Sequence, residues 1–160
     1  MDEAFFSSYP DVEADTALLA KLQSLKLVVF DVDGVLTDGR LLYTEQGETI
    51  KRFNVKDGVA MKLLPKWDVQ VAVITAKDSA PLRQRMKELK VEHFYPGCHN
   101  KAEAFGELIG RLGIEPEEAA YVGDDVIDLQ VMPKVGVALC PADAHILLQR
   151  HCPIILSKAA

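Results

Sequence analysis

Two aspartates, Asp31 and Asp33, follow a short apolar run near the start of the chain and are themselves followed by Gly34. The apolar run, residues 27–30, contains only leucine, valine and phenylalanine, which is typical of an interior parallel strand. Ligands of open α/β sheets bind outside the carboxyl ends of the strands, so we expect both carboxylates where a reaction can take place. Two acids in a glycine-bearing turn at this position indicate phosphoryl-transfer chemistry.

Further candidate residues follow other predicted strands. Thr75 ends the apolar segment VQVAVIT, so its hydroxyl can bind a phosphoryl oxygen, although a lone threonine there is more often a helix cap or turn residue. Lys101 lies in the first turn of a predicted helix, where it can neutralise a carboxylate and a phosphate, although a lone lysine is usually solvated. The segment GDDVID crowds three acids together, and they repel one another unless a cation or a helix N-terminus compensates; they are Asp124, Asp125 and Asp128.

A magnesium site accounts for the two acidic segments together. Helix capping would explain one aspartate of GDDVID but not all three, and it would not explain Asp31 and Asp33. Mg²⁺ prefers oxygen ligands and is typically held by one or two carboxylates with a substrate phosphate. The sequence therefore predicts Mg²⁺ as the cofactor.

Two other phosphate or metal motifs pass through the same residues, and both are excluded. An EF-hand loop starting at Asp31 needs glycine and glutamate at its sixth and twelfth positions, where this chain has Leu36 and Leu42. A P-loop places lysine and serine or threonine after its second glycine, whereas Gly39 is followed by arginine and leucine. A cradle for a nucleoside triphosphate is therefore not expected.

Length and composition indicate one ordinary globular domain spanning residues 1–160. The net charge of -6 argues against nucleic acid or an anionic membrane as the main partner. The acidic start of the chain, without an apolar signal core, predicts a cytoplasmic location. The three cysteines form no CxxC pair and are expected to be reduced, and His93, Cys98 and His99 fit no standard zinc spacing and are expected to be structural.

The hydrophobic pattern alternates between strand-like and helix-like segments. It predicts strands at residues 27–31, 69–75, 119–123, 136–139 and, more briefly, 153–156. It predicts helices over residues 15–24, 58–67, 79–90 and 100–111, with another helical start at Pro116. This alternation predicts an α/β fold, a three-layer, Rossmann-like parallel sheet with helices on both faces and no large cap domain.

One segment interrupts the alternation. Residues 40–53 contain two short β-prone runs around a polar turn at residues 45–47, which predicts a projecting β-hairpin. A surface loop is the alternative.

The motifs together resemble a known family. DVDGVLTDG, Thr75, Lys101 and GDDVID occur in the order of the four motifs of the haloacid dehalogenase superfamily of phosphatases. More narrowly, the chain resembles the cap-less 3-deoxy-D-manno-octulosonate 8-phosphate phosphatase family through DVDGVLTDG, KRFNVKDG, NKAEAF and YVGDDVIDLQVM. The likeness runs from about residue 25 to about residue 151, nearly the whole chain.

The resemblance implies a role for each motif residue. Asp31 would be the nucleophile that forms an aspartyl-phosphate, and Asp33 would be the general acid and base. Mg²⁺ would be held by Asp31, the backbone carbonyl of Asp33 and Asp124. Thr75 and Lys101 would bind the phosphoryl oxygens, and supporting positions around Asp124 and Lys101 would be filled by Asp125 and Asp128.

The resemblance also implies a homotetramer in which the hairpin helps to close a neighbouring active site, a phosphorylated sugar acid as substrate, and a place in lipopolysaccharide biosynthesis. Lys51, Asn54 and Lys56 match family positions near the substrate, with a solvated surface role as the alternative.

The chain differs from the family pattern in two places. Lys77 replaces the arginine of the usual ITGR segment, and the chain stops at ILSKAA without a glycine-rich tail, so substrate affinity, turnover or substrate identity is expected to differ.

Other functions also fit the same residues. The substrate can be a related sugar phosphate. A phosphoacceptor receiver domain also combines aspartates, threonine, lysine and Mg²⁺ on a parallel sheet, but its acidic residues occur in a different order along the chain. A non-catalytic scaffold that retains the fold is the remaining alternative.

Overall fold

A parallel β-sheet forms the centre of the fold. In the computed structural model, which describes residues 16–160, the strands are β1 (Leu27–Phe30), β2 (Leu42–Thr44), β3 (Gly47–Ile50), β4 (Gln70–Ile74), β5 (His93–Tyr95), β6 (Ala119–Val122), β7 (Val137–Cys140) and β8 (Ile154–Ile155). The main sheet has six strands in the order β5–β4–β1–β6–β7–β8, and every neighbouring pair is parallel. The five predicted strands are confirmed to within one residue at each end. Strand β5 was not predicted, because its three residues are only half-buried and carry no clear pattern.

The α-helices precede β1 or lie in the connections between strands. They are α1 (Thr16–Gln23), α2 (Val55–Leu63), α3 (Ala80–Leu89), α4 (Lys101–Leu112) and α5 (Ile146–His151), and short 3-10 helices cover Leu64–Trp67, Pro116–Glu118, Val126–Gln130 and Met132–Lys134. The first predicted helix is confirmed, although its predicted start at Asp15 lies outside the described residues. The prediction of a helix over residues 58–67 was wrong at its start. The Asn54 side chain accepts a hydrogen bond from the Lys56 amide at 3.0 Å and caps α2 three residues earlier.

Helices cover both faces of the sheet, as predicted. Leu27 and Val29 of β1 point to one face, where they share a buried cluster with residues of α4 and α5 such as Phe105 and Leu148. On the other face, Val71 and Val73 of β4 pack with residues of α2 and α3, namely Met61, Leu82 and Met86. Burial on both faces explains why the strand sequences are continuously apolar.

The predicted hairpin is confirmed, and the surface-loop alternative is wrong. Strands β2 and β3 pair in the antiparallel direction and form a separate two-stranded sheet. Its apolar side chains are poorly covered, since Leu42 is 47%, Tyr43 62% and Ile50 55% exposed. Among residues 16–160, no helix combines the length and the apolar character needed to cross a bilayer.

Candidate active site

The carboxyl ends of three neighbouring strands meet at one edge of the sheet. Strand β1 lies between β4 and β6, and the chain moves outward to β5 on one side before it crosses to β6 on the other. Such a change of direction creates the crevice in which α/β proteins bind ligands. Asp31, Thr75 and Asp124 follow β1, β4 and β6 by one or two residues, so this edge brings them together. The Asp31 amide donates to the Val122 carbonyl at 3.0 Å, which joins two of these strand ends.

Lys101 enters the site from the first residue of α4, with a side chain that is only 1% exposed. Its Nζ lies 3.0 Å from Asp31 Oδ1 and 2.7 Å from Asp128 Oδ1. Burial lowers the pKa of Lys101, but the carboxylates of Asp31 and Asp128 outweigh it and leave the pKa raised. Lys101 is therefore a buried cation and not a solvated surface lysine.

Asp128 is the most completely hydrogen-bonded carboxylate of the site. It is fully buried, and its Oδ1 accepts from Lys101 Nζ at 2.7 Å and from the Tyr121 hydroxyl at 2.8 Å. Its Oδ2 accepts from the backbone amides of Asp124 at 3.0 Å and Asp125 at 3.2 Å. With four donors around it, Asp128 organises the loop after β6. Sequence analysis missed Tyr121, whose only signal was a hydroxyl inside the otherwise aliphatic strand AAYV.

A close backbone approach brings the two acidic segments together. Gly34 has a φ of +85°, and a Cβ atom at this position would overlap the carboxylate of Asp124. Only glycine permits both the positive φ and this approach. The glycine of the first motif therefore determines how closely the acids of the last motif can approach Asp31.

The acids form a cluster suited to a metal ion. Asp31, Asp124 and Asp128 each offer a carboxylate oxygen, and these oxygens lie within 4.8 Å of one another. Because Asp128 is already occupied by four donors, Asp31 and Asp124 are the carboxylates left to bind an ion. Asp124 Oδ1 is buried and has no hydrogen-bond partner among residues 16–160. An oxygen-only set of this kind fits Mg²⁺, whose ligands in proteins are carboxylates, carbonyls and water.

Two of these acids have strongly raised pKa values. Burial, followed by the charge of Asp128, raises the pKa of Asp31 to about 6, although Lys101 acts in the opposite direction. Burial, followed by the charges of Asp31 and Asp128, raises the pKa of Asp124 to about 7. The protein alone therefore leaves part of the negative charge uncompensated, and a divalent cation would compensate it.

Thr75 and Lys77 lie at the carboxyl end of β4. Thr75 is 1% exposed, and its hydroxyl accepts from the Lys77 amide at 3.3 Å. Ser79, not Thr75, is the N-cap residue of α3, so the helix-cap alternative for Thr75 is wrong. The turn alternative is confirmed, since the bond from the amide two residues later is a turn contact. The side chain of Lys77 extends towards the hairpin, and its Nζ donates to the Tyr43 hydroxyl at 3.5 Å.

Asp33 is held by a residue of the hairpin. Its Oδ1 accepts from Lys51 Nζ, which also lies 2.8 Å from Glu48 Oε1. The Lys51 side chain is 1% exposed, which argues against a solvated surface role. Burial lowers the pKa of Lys51, but its bonds to Asp33 and Glu48 leave the pKa raised. Glu48 was not singled out in the sequence, because a single glutamate in a hairpin carries no spacing signal.

The other candidate residues lie at the margin of this cluster. Asn54 caps α2, and Lys56 is exposed on its first turn. Asp125 is exposed and caps the following 3-10 helix by accepting from the Val126 amide at 2.7 Å. The expected structural role of His93 is confirmed, since one ring nitrogen contacts Gln70 Oε1 at 2.8 Å and the other contacts Arg111 at 3.2 Å.

Comparisons with known proteins agree with this geometry. No protein-family model matches the chain. The 3-deoxy-D-manno-octulosonate 8-phosphate phosphatase KdsC of Escherichia coli K12 is 44% identical over 140 residues, which cover 88% of this chain and 73% of that protein. The cobalt-bound phosphatase of Haemophilus influenzae is 41% identical with a TM-score of 0.85, covering 88% of this chain and 82% of that one. The Moraxella catarrhalis phosphatase, solved in complex with magnesium, phosphate and KDO, is 31% identical with a TM-score of 0.87, covering 92% and 84%.

The fold and the acidic strand-end cluster define a phosphatase of the haloacid dehalogenase superfamily. Neither a receiver domain nor a non-catalytic scaffold is favoured by these likenesses. Within the superfamily, the chain belongs to the 3-deoxy-D-manno-octulosonate 8-phosphate phosphatase family.

The raised pKa values predict how Mg²⁺ affects stability. In the metal-free protein, Asp31 and Asp124 contribute stability below their unfolded pKa near 3.8, and this contribution is lost as pH rises towards 6 and 7. Mg²⁺ binds the ionised carboxylates, so we expect it to raise the melting temperature more at pH 8 than at pH 5. At about 100 times its dissociation constant, the gain would be about 2.7 kcal/mol.

Thermal unfolding with Mg²⁺ and with a chelator measures this difference. The variant Asp124→Asn should be the more stable chain without metal at pH 8 and should lose most of the Mg²⁺ effect. An equal Mg²⁺ effect at both pH values would contradict the assignment of these acids to the metal.

Proposed function

We propose that this chain is a Mg²⁺-dependent phosphatase that cleaves 3-deoxy-D-manno-octulosonate 8-phosphate. The observation that carries the proposal is the position of Asp31, Asp124 and Lys101 at one edge of the sheet. Lys101 Nζ lies 3.0 Å from Asp31 Oδ1, and the carboxylate oxygens of Asp31 and Asp124 lie within 4.8 Å of each other, close enough to share an ion. The similar proteins support the substrate, since the Escherichia coli relative is named for this activity and the Moraxella catarrhalis relative was solved with magnesium, phosphate and KDO.

The reaction proceeds in two displacements at phosphorus, with an aspartyl-phosphate on Asp31 between them. The Asp31 carboxylate attacks phosphorus and forms an aspartyl-phosphate as the sugar alkoxide leaves. Asp33 gives a proton to that alkoxide and later takes one from the water that hydrolyses the intermediate. Mg²⁺, held by Asp31, the backbone carbonyl of Asp33 and Asp124, would neutralise charge on the phosphoryl oxygens.

The remaining residues bind the phosphoryl group or support those that do. Lys101 provides a fixed positive charge beside Asp31, and the Thr75 hydroxyl provides a hydrogen bond from the neighbouring strand end. These groups are in position before the reaction, so they stabilise the charge of the transition state without reorganising. Asp128 orients Lys101, and Asp125 begins the 3-10 helix that carries Asp128.

Replacement of the nucleophile tests the proposal. We expect Asp31→Asn to lower phosphate release from 3-deoxy-D-manno-octulosonate 8-phosphate by at least about 10³-fold, since a neutral amide cannot replace the carboxylate as nucleophile. Asp68→Asn is the matched control, because Asp68 is exposed, precedes β4 and so lies at the opposite edge of the sheet. A phosphate-release assay and circular dichroism measure activity and folding. Undiminished release by folded Asp31→Asn would refute the assignment.

Lys77 is proposed to contact the carboxylate of the substrate. An ammonium contacts a carboxylate as a point charge, whereas a guanidinium would bind both oxygens. We expect Lys77→Arg to lower the KM for 3-deoxy-D-manno-octulosonate 8-phosphate about fivefold, or about 1 kcal/mol. A hexose phosphate without a carboxylate is the control and should show no change. If Lys77→Arg lowers the KM only for a different sugar phosphate, that sugar phosphate is favoured as the substrate.

The chain is further proposed to act as a homotetramer in the cytoplasm, as part of lipopolysaccharide biosynthesis. The exposed apolar side chains of the hairpin support association, and the free thiols of Cys98, Cys140 and Cys152 fit a reducing compartment.

Light scattering tests the assembly. We expect a mass about four times that of the 17.6 kDa chain. Leu42→Lys on the hairpin should lower this mass, because a charge would be buried at the contact. Leu19→Lys on α1 replaces a leucine of similar exposure away from the hairpin and should leave the mass unchanged. A monomer mass for the native chain would contradict the proposal.

A further inference from the structure

A buried pair of charges connects the hairpin to the loop that follows β1. Lys51 comes directly after β3, and Glu48 lies within that strand. Their side chains are 1% and 8% exposed, and Lys51 Nζ lies 2.8 Å from Glu48 Oε1. Because Lys51 also contacts Asp33 Oδ1, one buried ammonium bridges two carboxylates from different parts of the chain.

These contacts distinguish the two oxygens of Asp33. Oδ1 accepts from Lys51 Nζ and, at 3.5 Å, from the Thr37 hydroxyl. Oδ2 is buried and has no hydrogen-bond partner among the described residues. A protonated carboxyl group has one O–H donor, and the oxygen facing a cation is the poorer place for that proton. Oδ2 is therefore the oxygen left without a partner, and the one on which a proton would be placed.

We propose that Glu48 and Lys51 are positioning residues, in which Glu48 holds Lys51 and Lys51 holds Asp33 with Oδ2 directed at the leaving group. The inference rests on the proposed function, in which Asp33 is the general acid. In that step the bond from phosphorus to the sugar oxygen breaks as Asp31 bonds to phosphorus, and the proton on Asp33 Oδ2 passes to the departing oxygen. Glu48 and Lys51 act only through Asp33.

Glu48 is needed because a lysine side chain is long and freely rotating. An ammonium on a four-carbon stem has no preferred orientation of its own, unlike a planar guanidinium. The buried carboxylate of Glu48, on the strand that Lys51 follows, limits where the Lys51 ammonium can lie. Without Glu48, Lys51 and therefore Asp33 would have several arrangements, and proton transfer would be slower in most of them.

The dependence of rate on the leaving group tests this role. Substituted phenyl phosphates lack the sugar and its carboxylate, so substrate contacts stay constant while the acidity of the leaving phenol varies. In the presence of Mg²⁺, kcat/KM reports the steps up to departure of the phenol. We expect Glu48→Gln to lower kcat/KM about tenfold for unsubstituted phenyl phosphate, whose phenol has a pKa of about 10. For nitrophenyl phosphate, whose leaving group needs little protonation, the loss should be less than about threefold.

Two further variants make the result specific. Lys51→Met should likewise make kcat/KM depend more steeply on the acidity of the leaving phenol. The double variant Glu48→Gln/Lys51→Met should show no further change, because both residues act through Asp33. Glu117→Gln changes an exposed glutamate that precedes β6, at the edge of the sheet opposite the site, and should match the native chain. A uniform loss across all phosphates, or no change, would overturn the positioning role. A native chain that cleaves phenyl phosphates but not 3-deoxy-D-manno-octulosonate 8-phosphate would instead refute the proposed substrate and leave this role standing.

Discussion

The contact of Lys101 with Asp31 and Asp128 is the interaction on which the rest of the site depends. A buried carboxylate is costly unless it is paired and hydrogen-bonded. Here three carboxylates lie within 4.8 Å of one another, and one buried ammonium lies among them. Removing that ammonium would leave like charges facing each other in a poorly solvated crevice. The position of Lys101 at the start of α4 is therefore tied to the acids of β1 and β6.

The loop after β6 is arranged around the same interaction. Asp128 accepts four hydrogen bonds, two of them from the amides of Asp124 and Asp125. These bonds fold the loop back on itself and turn the Asp124 carboxylate towards Gly34, where only a glycine leaves room. Asp128 thus fixes the position of Asp124, whose Oδ1 has no hydrogen-bond partner among residues 16–160 and is a candidate ligand for Mg²⁺.

Sequence reasoning predicted the parts of this arrangement that follow from strand ends. Asp31, Thr75 and Asp124 could be expected to meet, because each follows an apolar run and parallel strands share one carboxyl edge. The partners of these residues could not be predicted in the same way. Neither Tyr121 nor Glu48 belongs to a motif with a characteristic spacing. Their contacts depend on which parts of the folded chain lie next to their side chains.

The fold shows the same division. Four apolar strands of four or five residues, and β8 within the apolar run at residues 153–156, were predicted to within one residue, whereas β5 and α5 were missed. Strand β5 has three half-buried residues, and α5 has six residues with only Leu148 buried. Segments this short show less than two turns of helical periodicity or two repeats of strand alternation, so their structure is determined by the neighbours they pack against.

The two buried lysines of the site have similar environments, because each contacts two carboxylates. One of these lysines comes from the hairpin, which therefore lies close to Asp33. Lys101 joins Asp31 to the buried Asp128, and Lys51 joins Asp33 to the buried Glu48. In each set, one carboxylate is proposed to react and the other holds the lysine in place. The first set is built from the sheet and α4, but no helix of the central fold contacts the Asp33 carboxylate among the hydrogen bonds and ion pairs of residues 16–160. The hairpin supplies that cation through Lys51, so the proposed positioning of Asp33 requires no large cap domain among residues 16–160.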